Sequence, residues 1–373
     1  MVSSKGSIRR KAGVIATVLA ASAAAVVVAA PAANAQDAPN NCFEASGFFG
    51  YATTFIDNTT REWQLVTNRA NVGNATETPS ALSPEVAPAV TGLFSDVFEQ
   101  AFKASDGTLW VANSVSGGNQ VRTNGVAHPL GAHSGPAIAS YATNPTSPAT
   151  NQWRATWVEN GRLLALDQAS QNTVTTLATD VAASTTPSIA AANNGRTAGF
   201  FEAYVNTHGN VTVIRPDGSR ITETAFTVRP GTGVSIAVNS LNHWMLDAQA
   251  PNTTMWQFSD SFGAQSTVFT INGTPSVTAL SDDTFQRAFI STTNGHLFVG
   301  FGDTGLHAAN NTSPSIAASY VDGHWTAAIQ SAAHHLQTID DTGTVGDGAN
   351  ANTVTLGATS SPAIANIPFC GLA

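Results

Sequence analysis

Large apolar residues recur in pairs four positions apart, inside short runs rich in β-branched and aromatic residues. The pairs are Tyr51/Phe55, Phe98/Phe102, Trp153/Trp157, Phe200/Tyr204, Trp244/Ala248, Phe285/Phe289 and Trp325/Ile329. Six to eight residues after each pair, ten in the first copy, an apolar residue follows a turn: Leu65, Leu109, Leu163, Val211, Met255, Leu297 and Leu336. Asp106-Gly107, Asn160-Gly161, His208-Gly209 and Asn294-Gly295 mark several of these turns. Such dipeptides tolerate positive φ and set tight hairpins. A spacing of four also suits a helix face, but these runs are short and bounded by Gly, Asn and Asp. Positions i and i+4 share a face of a strand as well, so the pattern predicts strands.

A second phrase precedes most pairs, roughly Ser/Thr-Pro-small-Ile/Val-Ala. It reads Ala87-Pro88-Ala89-Val90, Gly135-Pro136-Ala137-Ile138-Ala139, Thr186-Pro187-Ser188-Ile189-Ala190 and Gly233-Val234-Ser235-Ile236-Ala237. It returns as Thr274-Pro275-Ser276-Val277, Ser313-Pro314-Ser315-Ile316-Ala317 and Ser361-Pro362-Ala363-Ile364-Ala365. Measured at the proline position, the intervals are 48, 51, 47, 41, 39 and 48 residues. Each unit predicts three strands and a weaker fourth, for example 173–179 and 353–358. Four-stranded units of this length are the signature of β-propeller blades. Inner strands crowd an axis and need small side chains, and a proline suits the first residue of a strand, where no ladder donor is needed. The last phrase has no strands after it, and the first apolar pair has no phrase before it. Pairing these two ends gives six internal blades and one shared blade. The expectation is an all-β, seven-bladed propeller of four-stranded antiparallel blades over residues 42–373, with one blade shared between the termini.

The beginning of the chain reads differently. Lys5, Arg9, Arg10 and Lys11 precede an apolar run from Gly13 to Ala30, and Ala33-Asn34-Ala35 is a small-x-small cleavage site. Residues 1–35 are therefore expected to be a secretory signal peptide, with 36–41 a short segment before the propeller and an extracellular location for the rest. Of 15 Lys and Arg, four lie in that leader; the remaining 11 face 24 acidic residues, a net of −13. Lys103 is the one lysine left. Such a surface repels a phosphate backbone, so nucleic acid is not an expected partner. No membrane span is expected after leader removal. Two cysteines, Cys42 and Cys370, stand at the two ends of the expected ring, and in an oxidising compartment they predict a disulfide that flanks the shared blade.

The run Thr312-Ser313-Pro314-Ser315-Ile316-Ala317-Ala318, followed by Gly323-His324-Trp325-Thr326-Ala327-Ala328 and then Leu336, resembles the repeat of secreted bacterial β-propellers related to tectonin-type and fucose-binding lectins. The resemblance spans residues 42–370. It implies a carbohydrate-binding, lectin-like protein without catalysis or cofactor, whose partner is a glycan or cell-surface polysaccharide. Repeated shallow sites of that kind act through multivalency.

Candidate ligand residues follow from strand alternation. Trp110, Trp256 and Phe298 each come one position after the third-strand apolar residue, so they lie on the face opposite Leu109, Met255 and Leu297. There they could stack on a sugar ring or pack between blades. Glu99, Arg154, Glu202 and Arg287 lie beside the second-strand pairs. A charge between blades must be paired or face a cleft, and both residue types hydrogen-bond sugar hydroxyls. For hydrolysis, Ser105-Asp106-Gly107-Thr108-Leu109-Trp110 is one residue short of a sialidase-type Asp box. A glycosidase also needs two placed carboxylates, and no pair is identifiable in the sequence. Adjacent His334 and His335 point to opposite faces of a strand and do not form a metal pair. The alternatives to a lectin are an extracellular glycoside hydrolase or lyase with a site at the channel mouth, or a protein-interaction scaffold.

Overall fold

The computed structural model describes residues 50–367 apart from 57–62, 68–71, 75–82, 84–85, 94–97, 114–116, 143–150, 171–172, 194–197, 240, 281–283, 319–322, 347–354 and 358–359. The leader, Cys42 and Cys370 lie outside the described residues. Among those described, every regular element is a strand except the single 3-10 turn Gln168–Ser170.

The strands form antiparallel sheets that follow chain order. The 89–120 sheet runs Ala89–Gly92, Phe98–Lys103, Leu109–Asn113, Gly117–Gln120. The 137–178 sheet runs Ala137–Ala142, Asn151–Glu159, Arg162–Asp167, Val174–Ala178. The 188–223 sheet runs Ser188–Asn193, Ala198–Val205, Val211–Ile214, Arg220–Glu223. The 315–346 sheet runs Ser315–Ala318, Trp325–Gln330, Leu336–Asp340, Val345–Gly346. A closing sheet joins the two ends of the described chain. Ala363–Ile367 pairs with Gly50–Ile56, in the register Ala52↔Ala365, and Trp63–Thr67 and Val72–Asn74 follow.

The remaining large sheet has seven strands over 234–307, because one strand, Gly263–Ala279, is 17 residues long. Its first part pairs with Thr254–Ser259 and its second with Phe285–Ser291. The ladder slips between Asn272 and Ser276. Pro275 falls in that slip, where its missing N–H is not required. The repeat did not foretell this fused strand. It also misplaced one outer edge. The fourth strand of the 315–346 sheet is Val345–Gly346, not 353–358. Asp340 Oδ1 accepts from the N–H groups of Thr342 and Thr344, and Gly343 has φ 79°, so the chain reverses at once. Part of 353–358 lies outside the described residues; Leu356 is buried and its N–H donates to His334 O at 2.7 Å.

The sheets stack face to face, and the apolar core sits between neighbours. The second member of every apolar pair is nearly sealed: Phe55, Phe102, Trp157, Tyr204, Ala248, Phe289 and Ile329 are each at most 1% exposed. Phe201, Trp244 and Phe258 share one cluster between the 188–223 and 234–307 sheets. Trp153, Trp157 and Leu109 share another between the 89–120 and 137–178 sheets. This is a β-propeller with four-stranded antiparallel blades.

The recurrent phrase has a physical explanation in this arrangement. Neighbouring inner strands do not pair with each other, so hydroxyls bridge them. The serine after the proline position accepts from the next inner strand: Ser188 from Ile236 N–H, Ser235 from Val277, Ser276 from Ile316 and Ser315 from Ile364, at 3.0–3.2 Å. The Thr or Ser before the proline accepts from the preceding phrase: Thr186 from Gly135 N–H, Thr274 from Gly233, Ser313 from Thr274 and Ser361 from Ser313, at 2.8–3.0 Å. Gly233 interrupts this second row for a steric reason, since a Cβ there would lie 2.9 Å from Thr186 O. The hairpin at Asn160 and Gly161, with φ of 51° and 74°, has the positive-φ pair that Asn-Gly favours.

Candidate functional site

Arg154 is the fourth residue of the strand Asn151–Glu159, on the side of the 137–178 sheet that meets the 188–223 sheet. It pairs with Ala139 on the inner strand and with Asp167 on the third strand. Its guanidinium holds Asp167 through Nε (2.5 Å) and Nη2 (3.1 Å), and it holds Glu202 of the next sheet through Nη1 (2.6 Å). The Phe200 ring lies 4.9 Å from the guanidinium carbon, and Tyr141 packs on Phe200 with ring centroids 5.2 Å apart. The side chains of Arg154 and Asp167 are 24% and 30% exposed, whereas Glu202 is 2% exposed. The cleft is thus open at Arg154 and Asp167, and Glu202 closes its floor.

The electrostatics fit that geometry. Burial works to lower the Arg154 pKa, but its bonds to Asp167 and Glu202 more than reverse this and hold it above its ordinary value. Burial pushes Glu202 up to about 7, against the pull of Arg154. Burial likewise raises the Tyr141 hydroxyl, opposed by Arg154. A guanidinium carries five N–H donors. Three are engaged with carboxylates here, which leaves two on the partly exposed group, next to Asp167 oxygens that can accept. Phe200 itself is 6% exposed and covered by the guanidinium, so donor fork, acceptor and the half-buried Tyr141 ring are what lie side by side to grip neighbouring hydroxyls of a sugar ring.

The other residues singled out in the sequence are dispersed. Arg287 is 8% exposed and points into the interior of the 234–307 sheet. Its Nε lies 3.6 Å from Asp247 Oδ2, its Nη2 lies 3.2 Å from Met245 Sδ, and Phe301 covers it at 5.7 Å. Asp247 is fully buried, and burial raises it to about 6. Glu99 is 5% exposed on the 89–120 sheet, and burial raises it to about 8. Trp110 is 8% exposed, stacked on Phe102 at 6.4 Å, and its indole N–H donates to Thr108 Oγ1. Trp256 stacks on Phe226 at 4.8 Å, and Phe298 on Phe289 at 5.3 Å. All three rings are engaged in packing. The structure brings Arg154 and Glu202 together and adds Asp167, Tyr141 and Phe200. Asp167 sits 13 residues after Arg154 at the far end of a hairpin, and its role was readable only once the hairpin register was known.

Among the described residues no group of three or more His, Cys, Asp or Glu could hold a metal ion, and no helix is long and apolar enough to cross a membrane.

No family model matches the chain, and no curated protein matches it in sequence. Solved structures do match. The fucose-specific lectin from Aleuria aurantia is 12% identical, with a TM-score of 0.51, covering 75% of this chain and 99% of the lectin. A variant of the same lectin in complex with Fucalpha1-6GlcNAc gives 12% identity, a TM-score of 0.50 and the same coverage. At that identity the likeness defines the class of fold, the β-propeller.

Proposed function

We propose that the protein is a secreted, carbohydrate-binding propeller of seven blades, lectin-like and without catalysis. The count takes the 234–307 sheet as two blades fused through Gly263–Ala279, so that each of the seven phrases opens one blade. The similarity to fucose-binding lectins supports a sugar ligand. The observation that carries the reading is the half-open Arg154 cleft, with its unused donors, partly exposed Asp167 and adjoining half-buried Tyr141. With one cation and two carboxyls, the cleft offers no net attraction to an acidic sugar, so the ligand is an uncharged one. The location rests on the leader sequence.

Folded protein on a glycan array should bind neutral glycans, and Arg154→Gln should abolish the signal. Absence of binding to every glycan by the folded wild-type protein would refute the proposal. A hydrolytic reading has one point in its favour, two carboxyls on one guanidinium with Glu202 raised to about 7. Glu202 is 2% exposed, however, and braces Arg154 from beneath, where a glycosidic oxygen cannot reach it. Nitrophenyl glycosides should stay uncleaved.

A further inference from the structure

We infer that each chain carries a single sugar site, at Arg154, despite the seven-fold repetition of its architecture. The inference rests on the proposed sugar binding and adds the number of sites. Arg154 faces the inner-strand residue three positions after the proline position. Strand pairing identifies the matching second-strand residue in every repeat: Glu99 opposite Thr91, Phe201 opposite Ala190, Met245 opposite Ala237, Gln286 opposite Thr278, Thr326 opposite Ala317 and Ala52 opposite Ala365. None is a cation. The third-strand partner that is Asp167 beside Arg154 is Asn113 beside Glu99, Ser259 beside Met245, Asp340 beside Thr326 and Thr67 beside Ala52. At this register the pairing of a donor fork with a carboxylate therefore occurs once among the described residues.

The surroundings of the other positions are closed in distinct ways. Phe201 belongs to the apolar cluster of Trp244. Met245 is 8% exposed and occupied by Arg287. Thr326 is 2% exposed. Asp340 spends Oδ1 on its own turn, on the N–H groups of Thr342 and Thr344. The Gln286 carboxamide oxygen takes the Arg287 N–H. Arg287 is no substitute for Arg154, because it lies one residue further along its strand, opposite Val277. Alternation turns it to the other side of its blade, onto Asp247. A chain with one site occupies a glycan without cross-linking it, since avidity requires at least two linked sites.

The test is the binding ratio of the intact chain, by native mass spectrometry and titration calorimetry. The probes are methyl α-L-fucoside, methyl α-D-mannoside, methyl β-D-galactoside and methyl N-acetyl-β-D-glucosaminide. The expected result is one equivalent of at least one probe at saturation. Affinity should fall by about tenfold or more in Arg154→Gln, as loss of charge-assisted hydrogen bonds implies. Asn113→Ala and Gln286→Ala should leave both ratio and affinity unchanged. Two or more equivalents on the wild-type chain overturn the single site while leaving sugar binding intact. So does one equivalent that survives in folded Arg154→Gln. If that variant fails to fold, Asp167→Asn, which keeps the Glu202 contact, takes its place with the same criteria. No binding of any probe overturns both the single site and the sugar reading.

Discussion

Glu99 offers a sharp test of the buried electrostatics. Its carboxyl is 5% exposed in the interface toward the 137–178 sheet, and burial raises it from 4.5 to about 8. A folded-state pKa above the unfolded one means that the folded chain binds the proton more tightly. The stability linked to that proton is fully present below about pH 4.5 and is lost as the pH rises towards 8. Relative to a side chain that is always neutral, the cost is about 1 kcal/mol at pH 5 and about 3 kcal/mol at pH 7. Glu99→Gln removes the titration and keeps the shape. Urea unfolding of wild type and variant should therefore show an advantage for the variant that grows by about 2 kcal/mol from pH 5 to pH 7. Comparison at equal pH cancels the titration of Glu202 and Asp247, which are raised in both proteins. A variant-minus-wild-type difference that does not change with pH would refute the reasoning, as would one that shrinks.

Further expectations concern the ring. Ser235→Ala and Ser276→Ala each strip a partner from a backbone N–H between blades and should cost about 1–2 kcal/mol in urea unfolding; a cost near zero would deny the hydroxyl bridges their role. Arg287→Met leaves the fully buried Asp247 without its cation and should cost about 3–5 kcal/mol at neutral pH, with recovery toward pH 5 as Asp247 takes up a proton. Trp157→Ala should cost about 3–5 kcal/mol by opening a cavity between blades. Non-reducing peptide mapping should find Cys42 joined to Cys370, a bond whose loop-closure entropy is worth about 6 kcal/mol in the chain-entropy model; free thiols would exclude it.

The repeat was legible because each part of it answers a local demand. The proline marks a strand start, the serine and threonine flanking it bridge to neighbouring inner strands, and the bulky pair fills the space between sheets. The positions of Trp157, Tyr204 and Phe289 followed from spacing alone. What escaped was decided by register. Trp110 and Phe298 share a face with their cross-strand partners Phe102 and Phe289, Trp256 stacks on Phe226 from the connection before its sheet, and sequence alternation does not distinguish a ring that stacks on a neighbour from one that stacks on a ligand. Arg154 and Arg287 look alike in sequence, yet one residue of offset sends one into an open cleft and the other beneath Phe301. The fused strand Gly263–Ala279 was hidden because its Thr274-Pro275 phrase imitates the start of a separate strand.

That continuous strand also bears on how the wheel could be reopened. The two ends of the described chain already meet in the closing sheet, so a circular permutant could carry its new ends in any connection that lies between two blades. The 17 residues of Gly263–Ala279 leave no such connection between the two halves of the 234–307 sheet. New termini placed within it would sever the outer edge of one blade and the inner edge of the next in a single cut, whereas new termini in the stretch between Val228 and Val234 would sever neither.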